Sequence, residues 1–141
     1  MFELHPQLAR DTVVVGCLEL CQVLLSRDSR YPWCILVPER ENIQEIYQLE
    51  QRDKALLMDE SCLLSELMTN LFAPDKMNVA ALGNVVPQLH LHHVARFHND
   101  QAWPAPIWGV GEAKQYTDEG LSERVEVLRT SLSMLKGQGL S

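Results

Sequence analysis

Residues 88–97 constrain the fold of this chain more than any other segment. They read Gln-Leu-His-Leu-His-His-Val-Ala-Arg-Phe. On a β-strand, successive side chains alternate between two faces. One face then carries Leu89, Leu91, His93, Ala95 and Phe97, and the other carries Gln88, His90, His92, Val94 and Arg96. The first face is apolar except for one histidine, so we expect a strand from Leu89 to Phe97 with one side against a hydrophobic core.

Three more segments have the composition of strands. Thr12 to Leu25 is rich in Val, Leu and Cys and is interrupted by Gly16, which predicts two strands or one bent pair. Trp33 to Val37 is a compact apolar run bounded by prolines, which favours a buried strand. Met77 to Leu82 is strand-like as well and comes shortly before the 88–97 segment.

Two longer segments show the apolar spacing of helices, from Lys54 to Phe72 and from about Asp118 to Lys136. Thr117 or Asp118 can cap the second helix at its start, and Gly137 can end it. The resulting order predicts an α+β fold: an antiparallel sheet of about five strands with its helices on one side. We expect a single domain over residues 1–141, with its core at about 12–105.

Composition excludes several classes of protein. Twelve basic and nineteen acidic residues among 141 give a net charge of 12 − 19 = −7, which argues against nucleic acid as a partner. An anionic substrate must therefore be held by a local cluster of donors. No secretory leader or apolar run of ~20 residues is present, so we expect a cytoplasmic protein without a membrane partner. Cys17 and Cys21 are expected to be buried structural thiols.

The polar face of the 88–97 strand is where we expect chemistry. Residues i and i+2 of a strand lie about 6.6 to 6.8 Å apart, so His90 and His92 could converge on one phosphate group. If His90 is a nucleophile, its second ring nitrogen must donate its proton to an acceptor, which the sequence does not identify. His92 and Gln88 could donate hydrogen bonds to phosphate oxygens. Arg96 could extend the positive edge or form an ion pair at the surface.

A structural role competes with this interpretation. A pair of histidines on a strand can be half-buried and satisfied by its neighbours. Three of the five histidines of the chain fall within four residues, which favours a functional site at His90 and His92. His93 lies on the opposite face, where a place in the core or in a subunit contact is expected.

The run from Gly83 to Arg96, Gly-Asn-Val-Val-Pro-Gln-Leu-His-Leu-His-His-Val-Ala-Arg, resembles the signature of the histidine triad (HIT) superfamily. That signature has the form Gly-Gln-x-Val-x-His-x-His-x-His followed by apolar residues. The order of the flanking segments, from Ile35-Leu36-Val37-Pro38 to Trp103-Pro104, is also similar to that of the family. The resemblance extends from about residue 12 to 105.

The resemblance implies a homodimeric α+β protein that attacks the α-phosphorus of a nucleotide and needs no metal or other cofactor. The middle histidine of the signature corresponds to His90, which would form a nucleotidyl-histidine intermediate that water then hydrolyses. The last histidine corresponds to His92, which would bind phosphate oxygens. The resemblance also implies a phosphate contact by Asn78, if one loop residue is deleted, and places Asn84 where the family usually has Gln.

Two departures from the family pattern bear on activity. Gln88 stands at the first histidine of the signature, and an amide cannot carry a proton at physiological pH. The leaving group would then be protonated by His92, by water or by the substrate itself. The acidic residue that contacts the ribose in the family corresponds best to Asp28; otherwise Asp28 is expected to be exposed in a loop.

Three functions remain open on the sequence alone. The first is a nucleotidyl hydrolase or transferase acting on a nucleoside phosphoanhydride or phosphoramidate, such as a diadenosine polyphosphate. The second is a nucleotide-binding module with weak or no turnover, as the substitution at Gln88 would allow. The third is a zinc site, since His-x-His suits zinc, although no second cluster of ligands is visible at regular spacing.

Overall fold

The alternating segment forms a strand inside the sheet. The computed structural model describes residues 1–137. The helices are α1 (Pro6–Asp11), α2 (Gln51–Phe72) and α3 (Asp118–Gly137), with a 3₁₀ turn at Ile46–Gln48. The strands are β1 (Thr12–Cys17), β2 (Cys21–Ser26), β3 (Trp33–Pro38), β4 (Lys76–Ala81) and β5 (Leu91–Arg96). The expected single domain, 1–141, extends past the described residues and stays a prediction.

All neighbouring strands are antiparallel, and their order in the sheet is β1-β2-β3-β5-β4. The predicted α+β class and five-stranded sheet are therefore confirmed. The predicted pair of strands before Leu25 is β1 and β2, with a register shift between Val14 and Gly16. Thr117 caps α3 as expected, because its hydroxyl oxygen accepts the N–H of Gly120. The sequence pattern did not reveal α1 or the 3₁₀ turn, which are too short for a periodic signal.

The two faces of the sheet are covered differently. Both long helices pack on one face, where α2 and α3 contribute Leu57, Leu64, Leu67, Met68, Val125, Leu128 and Leu132 to the main core. The opposite face is covered by α1 through Leu8, by the loop between β4 and β5 through Val86, and by the segment between β5 and α3 through Ala102 and Ile107. The long helices are on one side, as predicted. None of the described helices is long and apolar enough to cross a membrane.

The strand β5 begins two residues later than expected, at Leu91 instead of Leu89. The preceding backbone pairs with a loop, because the Leu89 N–H donates to the carbonyl oxygen of Ile43 at 2.9 Å. Gln88 and His90 therefore lie on the segment that approaches the strand, whereas His92 lies within it. The expected placement of both histidines on one strand was wrong in this detail.

His93 faces the core, as the alternation predicts, and is fully buried. Its Nδ1 is 3.1 Å from the carbonyl oxygen of Leu91, which can only accept, so Nδ1 carries the proton. Its Nε2 then accepts the hydroxyl of Ser61 at 2.7 Å. This hydrogen bond joins β5 to α2. The imidazole is thus a structural element of the main core.

The four cysteines differ in exposure. Cys21 and Cys34 are buried, whereas Cys17 and Cys62 are exposed. The expectation of a buried Cys17 was wrong because it is the last residue of β1, at the edge of the sheet. No disulfide joins these four residues, all of which lie within the described part of the chain.

Arg96 is the largest fully buried side chain of the fold. Its guanidinium donates to the carboxylate of Asp100 at 2.8 and 3.0 Å and to Oδ1 of Asn78 at 2.8 Å. It also donates to the carbonyl oxygen of Ala105 at 2.9 Å and lies 5.6 Å from the ring of Trp103. The expected surface ion pair is therefore an interior one. It ties β5 to β4 and to the segment that follows β5.

Replacing this arginine tests how far the fold depends on it. We expect Arg96→Met to lower the free energy of unfolding by about 3–5 kcal/mol, since the Asp100 carboxylate would stay buried without its partner. Urea denaturation measures the change. The matched control is Arg52→Met, which removes an exposed ion pair with Glu19 and should cost at most about 1 kcal/mol. Equal losses in the two variants would contradict this account.

The buried His93 predicts a loss of stability in mild acid. Burial lowers its pKa from the usual 6.5 to about 4, an effect that the hydrogen bond to Leu91 only partly offsets. Below about pH 6.5 the unfolded chain therefore binds a proton that the folded chain does not. The free energy of unfolding should fall by about 1.4 kcal/mol per pH unit from this residue until about pH 4. Denaturation of His93→Gln, which cannot titrate, should give a correspondingly shallower pH dependence, whereas identical slopes would refute the assignment.

Candidate active site

His90 and His92 line one open cavity of about 450 Å³ on the face of the sheet away from α2 and α3. Their ring centroids are 4.8 Å apart in an edge-to-face arrangement. The other lining residues come from α1, β1, β2, β3, the loop at 82–86 and the segment after β5. They include Gln7, Leu8, Asp11, Thr12, Ser26, Trp33, Ile35, Asn84, Val86 and Trp108.

The proton on His90 is fixed by the backbone. Nδ1 of His90 lies 2.7 Å from the carbonyl oxygen of Gln88, two residues earlier. A carbonyl oxygen only accepts, so Nδ1 carries the proton and Nε2 keeps its lone pair. Burial lowers the pKa of His90, although the hydrogen bond that its Nδ1–H donates to Gln88 opposes that shift. The acceptor that the sequence left unidentified is thus this carbonyl group, and the free Nε2 is a suitable nucleophile.

His92 has the opposite tautomer. The indole N–H of Trp33 donates to its Nδ1 at 3.0 Å. Because an indole N–H can only donate, Nδ1 of His92 is an acceptor and Nε2 carries the proton. Burial, together with the neighbouring His90, lowers the pKa of His92 from the usual 6.5 to about 3. A lone pair on one imidazole and an N–H donor on the other therefore lie side by side in the cavity wall.

Two tryptophans that sequence reasoning did not assign to the site surround His92. Trp33 lies on β3, where the next residue on the same face, Ile35, is the register partner of His92. This neighbourhood could have been found from the sequence only if the pairing of β3 with β5 were known. Trp108 lies 5.0 Å from the His92 ring and 6.2 Å from that of Trp33, edge-on to both. The sequence pattern carried no signal for its position.

Gln88 holds the N-terminal segment. Its Oε1 accepts the backbone N–H of His5 at 2.8 Å, and its Nε2 donates to the carbonyl oxygen of Glu3 at 2.9 Å. The residue lines a second cavity of about 260 Å³ that also touches His90. The side chain of Gln88 thus holds the N-terminal segment, and its main-chain carbonyl orients the imidazole of His90.

Asn84 lies on an exposed turn and lines the same cavity as the two imidazoles. The turn depends on Gly83, whose φ of +99° is in the region that favours glycine. A side chain there would also approach the carbonyl oxygen of Val86 to 3.2 Å. Among the expected substrate ligands, the structure brings Asn84 together with His90 and His92.

Asn78 and Asp28 are engaged elsewhere. Asn78 accepts the buried guanidinium of Arg96. Asp28 is 7 % exposed, so the expectation of an exposed loop residue was wrong. Its carboxylate accepts the guanidinium of Arg30 at 2.8 Å and the backbone N–H of Lys114 at 3.3 Å. Burial raises its pKa, but the hydrogen bonds from Arg30 and Lys114 outweigh this and leave the pKa below its ordinary value.

Metal ligation finds little support in the residue arrangement. Within residues 1–137, no group of three or more His, Cys, Asp or Glu side chains is placed to hold a metal ion. The Nδ1 atoms of His90 and His92 are already hydrogen-bonded to Gln88 and Trp33. A zinc site would need at least one further ligand near them.

The comparisons with known proteins identify the family of this fold. The HIT domain family matches residues 7–99. A histidine triad protein from Marinobacter aquaeolei is 50% identical, with a TM-score of 0.92 over 96% of this chain and 98% of that chain. One from Bradyrhizobium japonicum is 40% identical, with a TM-score of 0.90 over 92% and 97%. One from Sinorhizobium meliloti is 38% identical, with a TM-score of 0.90 over 93% and 97%.

No protein of curated function matches the chain. The family match nevertheless covers more than half of the sequence and includes both cavity imidazoles. The solved structures have the same fold over nearly their whole length. The chain belongs to the HIT domain family.

Proposed function

We propose that this protein is a nucleotidyl hydrolase or transferase that uses His90 as its nucleophile. Its substrate would be a nucleoside phosphoanhydride or phosphoramidate, with attack at the α-phosphorus. The observation that carries the proposal is the pair of opposite tautomers on His90 and His92 in one cavity. A lone pair directed at phosphorus and a donor for its oxygens are the two groups that such an attack requires.

The cavity suits a nucleoside beside these two imidazoles. Leu8, Ile35 and Val86 are buried apolar residues in its wall. Thr12 and Ser26 add polar atoms to the same wall. Mostly apolar walls with a few polar groups are typical of small-molecule sites. We therefore place the nucleoside against these residues and its α-phosphate in front of the imidazole pair.

The proposed reaction has two steps. Nε2 of His90 forms a bond to phosphorus while the bond to the leaving group breaks. Nε2–H of His92 and the side-chain amide of Asn84 donate to the phosphate oxygens as their negative charge grows. Water then attacks phosphorus and gives up a proton to the solvent, the electron pair of the N–P bond returns to Nε2, and the nucleotide is released. No contact to substrate is assigned to Asn78 or Asp28, whose side chains hold Arg96 and Arg30.

A second candidate is a nucleotide-binding module with little or no turnover. It is favoured by Gln88, since an amide at this position cannot supply a proton and its two ends hold the N-terminal segment. Both candidates predict that a nucleotide binds in the cavity. Only the enzyme predicts a covalent nucleotidyl adduct on His90.

The nucleophile is tested by His90→Asn. We expect this variant to lose turnover of diadenosine polyphosphate by at least about 10³-fold, because the covalent step has no other lone pair at this place. Release of AMP measures the rate. Mass spectrometry of the wild-type protein, quenched during turnover of a slow substrate, should show one nucleotidyl group on His90.

His98→Asn is the matched control, because His98 is an exposed imidazole paired with Asp75 outside the cavity. It should turn over substrate at the wild-type rate. Wild-type turnover in His90→Asn would refute the nucleophile. Nucleotide binding without adduct or AMP release would favour the binding module.

We also propose that the protein forms a homodimer through β4. This strand lies at an edge of the sheet and pairs only with β5 among the described strands. The side chains of Val79 and Leu82 are 48% and 47% exposed there. Beyond Lys76 the strand has no charged residue. An uncharged edge strand with exposed apolar side chains can pair with another copy of itself.

Disruption of this edge tests the dimer. Val79→Lys should convert a dimer of twice the 16.1 kDa chain mass into a monomer, because a buried lysine opposes strand pairing. Analytical ultracentrifugation measures the mass. Val14→Lys is the control, since Val14 is 43% exposed on β1 at the opposite edge of the sheet. A monomeric wild-type protein, or a dimer that tolerates Val79→Lys but not Val14→Lys, would contradict the proposal.

A further inference from the structure

Trp33 holds the His92 imidazole in one protonation state. The indole N–H to Nδ1 distance is 3.0 Å, and the two ring centroids are 5.6 Å apart. Both residues lie on paired strands, β3 and β5, and Trp108 packs edge-on against both rings. A proton on Nδ1 would place two N–H groups against each other. His92 therefore cannot become a cation without breaking its bond to Trp33.

The other polar groups around His90 are engaged in hydrogen bonds of their own. Gln88 is an amide and does not titrate. Nδ1 of His5 accepts the backbone N–H of Gln7, and the carboxylate of Asp11 accepts the side-chain amide of Gln7. His93 is on the far face of the sheet, hydrogen-bonded to Ser61.

The chemistry of the leaving group decides whether the reaction needs a proton donor. When a phosphoanhydride is attacked, the P–O bond breaks with its electron pair on a phosphate oxygen, which is a stable anion in water. No proton is needed. When a phosphoramidate is attacked, the electron pair of the P–N bond would go to nitrogen, and the amine leaves only after it gains a proton. A positioned general acid typically accelerates such a step by about 10² to 10⁴-fold.

We infer that Trp33 fixes His92 as a permanent hydrogen-bond donor, and that the protein consequently cleaves nucleotides with a phosphate leaving group in preference to those with an amine leaving group. This inference rests on the proposed function and narrows its substrate class. His92 supports the phosphate oxygens in both steps and transfers no proton. Trp33 is a positioning residue, because it acts through His92.

The test compares two substrates that share one adenylyl group, diadenosine triphosphate and adenosine 5′-phosphoramidate. In the wild-type protein at about pH 7, we expect kcat/KM for the anhydride to exceed that for the phosphoramidate by at least about 100-fold. Cleavage of the phosphoramidate should rise as the pH falls, because solvent then protonates its nitrogen. Cleavage of the anhydride should not rise in this way.

Trp33→Phe keeps an aromatic ring but removes the N–H donor. We expect it to raise the phosphoramidate-to-anhydride ratio by at least about 10-fold, as His92 becomes able to take and deliver a proton. Trp108→Phe is the matched control, since the structure gives Trp108 a ring contact with His92 but no hydrogen bond to it. It should keep the wild-type ratio. Nitrogen NMR of the wild-type histidines should show His92 as the neutral Nε2–H tautomer, with no cation, down to about pH 5.

Three results would overturn the inference. One is a wild-type protein that cleaves the phosphoramidate as fast as the anhydride. If His5→Asn then abolished cleavage of the phosphoramidate, His5 would be identified as the general acid. Another is the same ratio in Trp33→Phe as in Trp108→Phe. The third is a His92 cation near neutral pH in the NMR titration, which is readable even if Trp33→Phe does not fold.

These results are distinct from a failure of the proposed function. If neither substrate released AMP and no adduct formed on His90, the nucleotidyl-transfer reaction itself would be wrong, and the preference would fall with it. If AMP were released from both at similar rates through a His90 adduct, only the preference would be wrong.

Discussion

The site depends on the hydrogen bonds that the guanidinium of Arg96 donates. It bonds Asp100, Asn78 and Ala105 at once, and it is buried where water cannot replace any of them. The segment after β5 has little regular structure of its own, so these bonds fix its course over the sheet. Trp108 belongs to that segment and packs against the ring of His92. The buried guanidinium thus supports the side of the cavity that Trp108 forms.

The three histidines at 90, 92 and 93 make different hydrogen bonds because each ring meets a different partner. The carbonyl oxygen of Gln88 holds the proton on Nδ1 of His90. The indole of Trp33 excludes it from Nδ1 of His92. His93, one residue later, points to the other face and bonds Ser61 on α2. Side-chain direction is set by the period of the strand, but the tautomer is set by the group that each ring meets.

The parts of the fold that follow from periodicity could be predicted, and those that follow from pairing could not. The alternation around His92 and the stripe of α2 each depend on residues close in the sequence. Trp33 reaches His92 only because β3 lies next to β5, a long-range pairing that no local pattern encodes. The bonds from Gln88 to the N-terminal segment likewise join residues more than eighty positions apart. Local patterns thus sufficed to select His90 and His92 as candidates, but not to identify Trp33 as the partner of His92.

Arg96 misled the sequence interpretation for a physical reason. A lone arginine at the end of a strand is usually placed at the surface, because burial of a charge is costly unless it is paired. Asp100, the pairing carboxylate, is four residues later, beyond the end of the strand, and its position depends on a turn. Asp100 is visible in the sequence, but the sequence does not show that its carboxylate lies within hydrogen-bond distance of Arg96.

The net charge of −7 affects how a site with neutral imidazoles can bind a phosphate. An acidic protein repels a phosphate at long range, so attraction has to come from groups at short range. A cationic histidine would meet that need, but its burial beside Trp33 and Trp108 would be costly. A neutral imidazole with a fixed N–H costs less to bury, and in a cavity of low polarity its hydrogen bond to a phosphate oxygen is stronger than in water. At His92, a neutral N–H group that Trp33 holds in place thus serves instead of a charged imidazole.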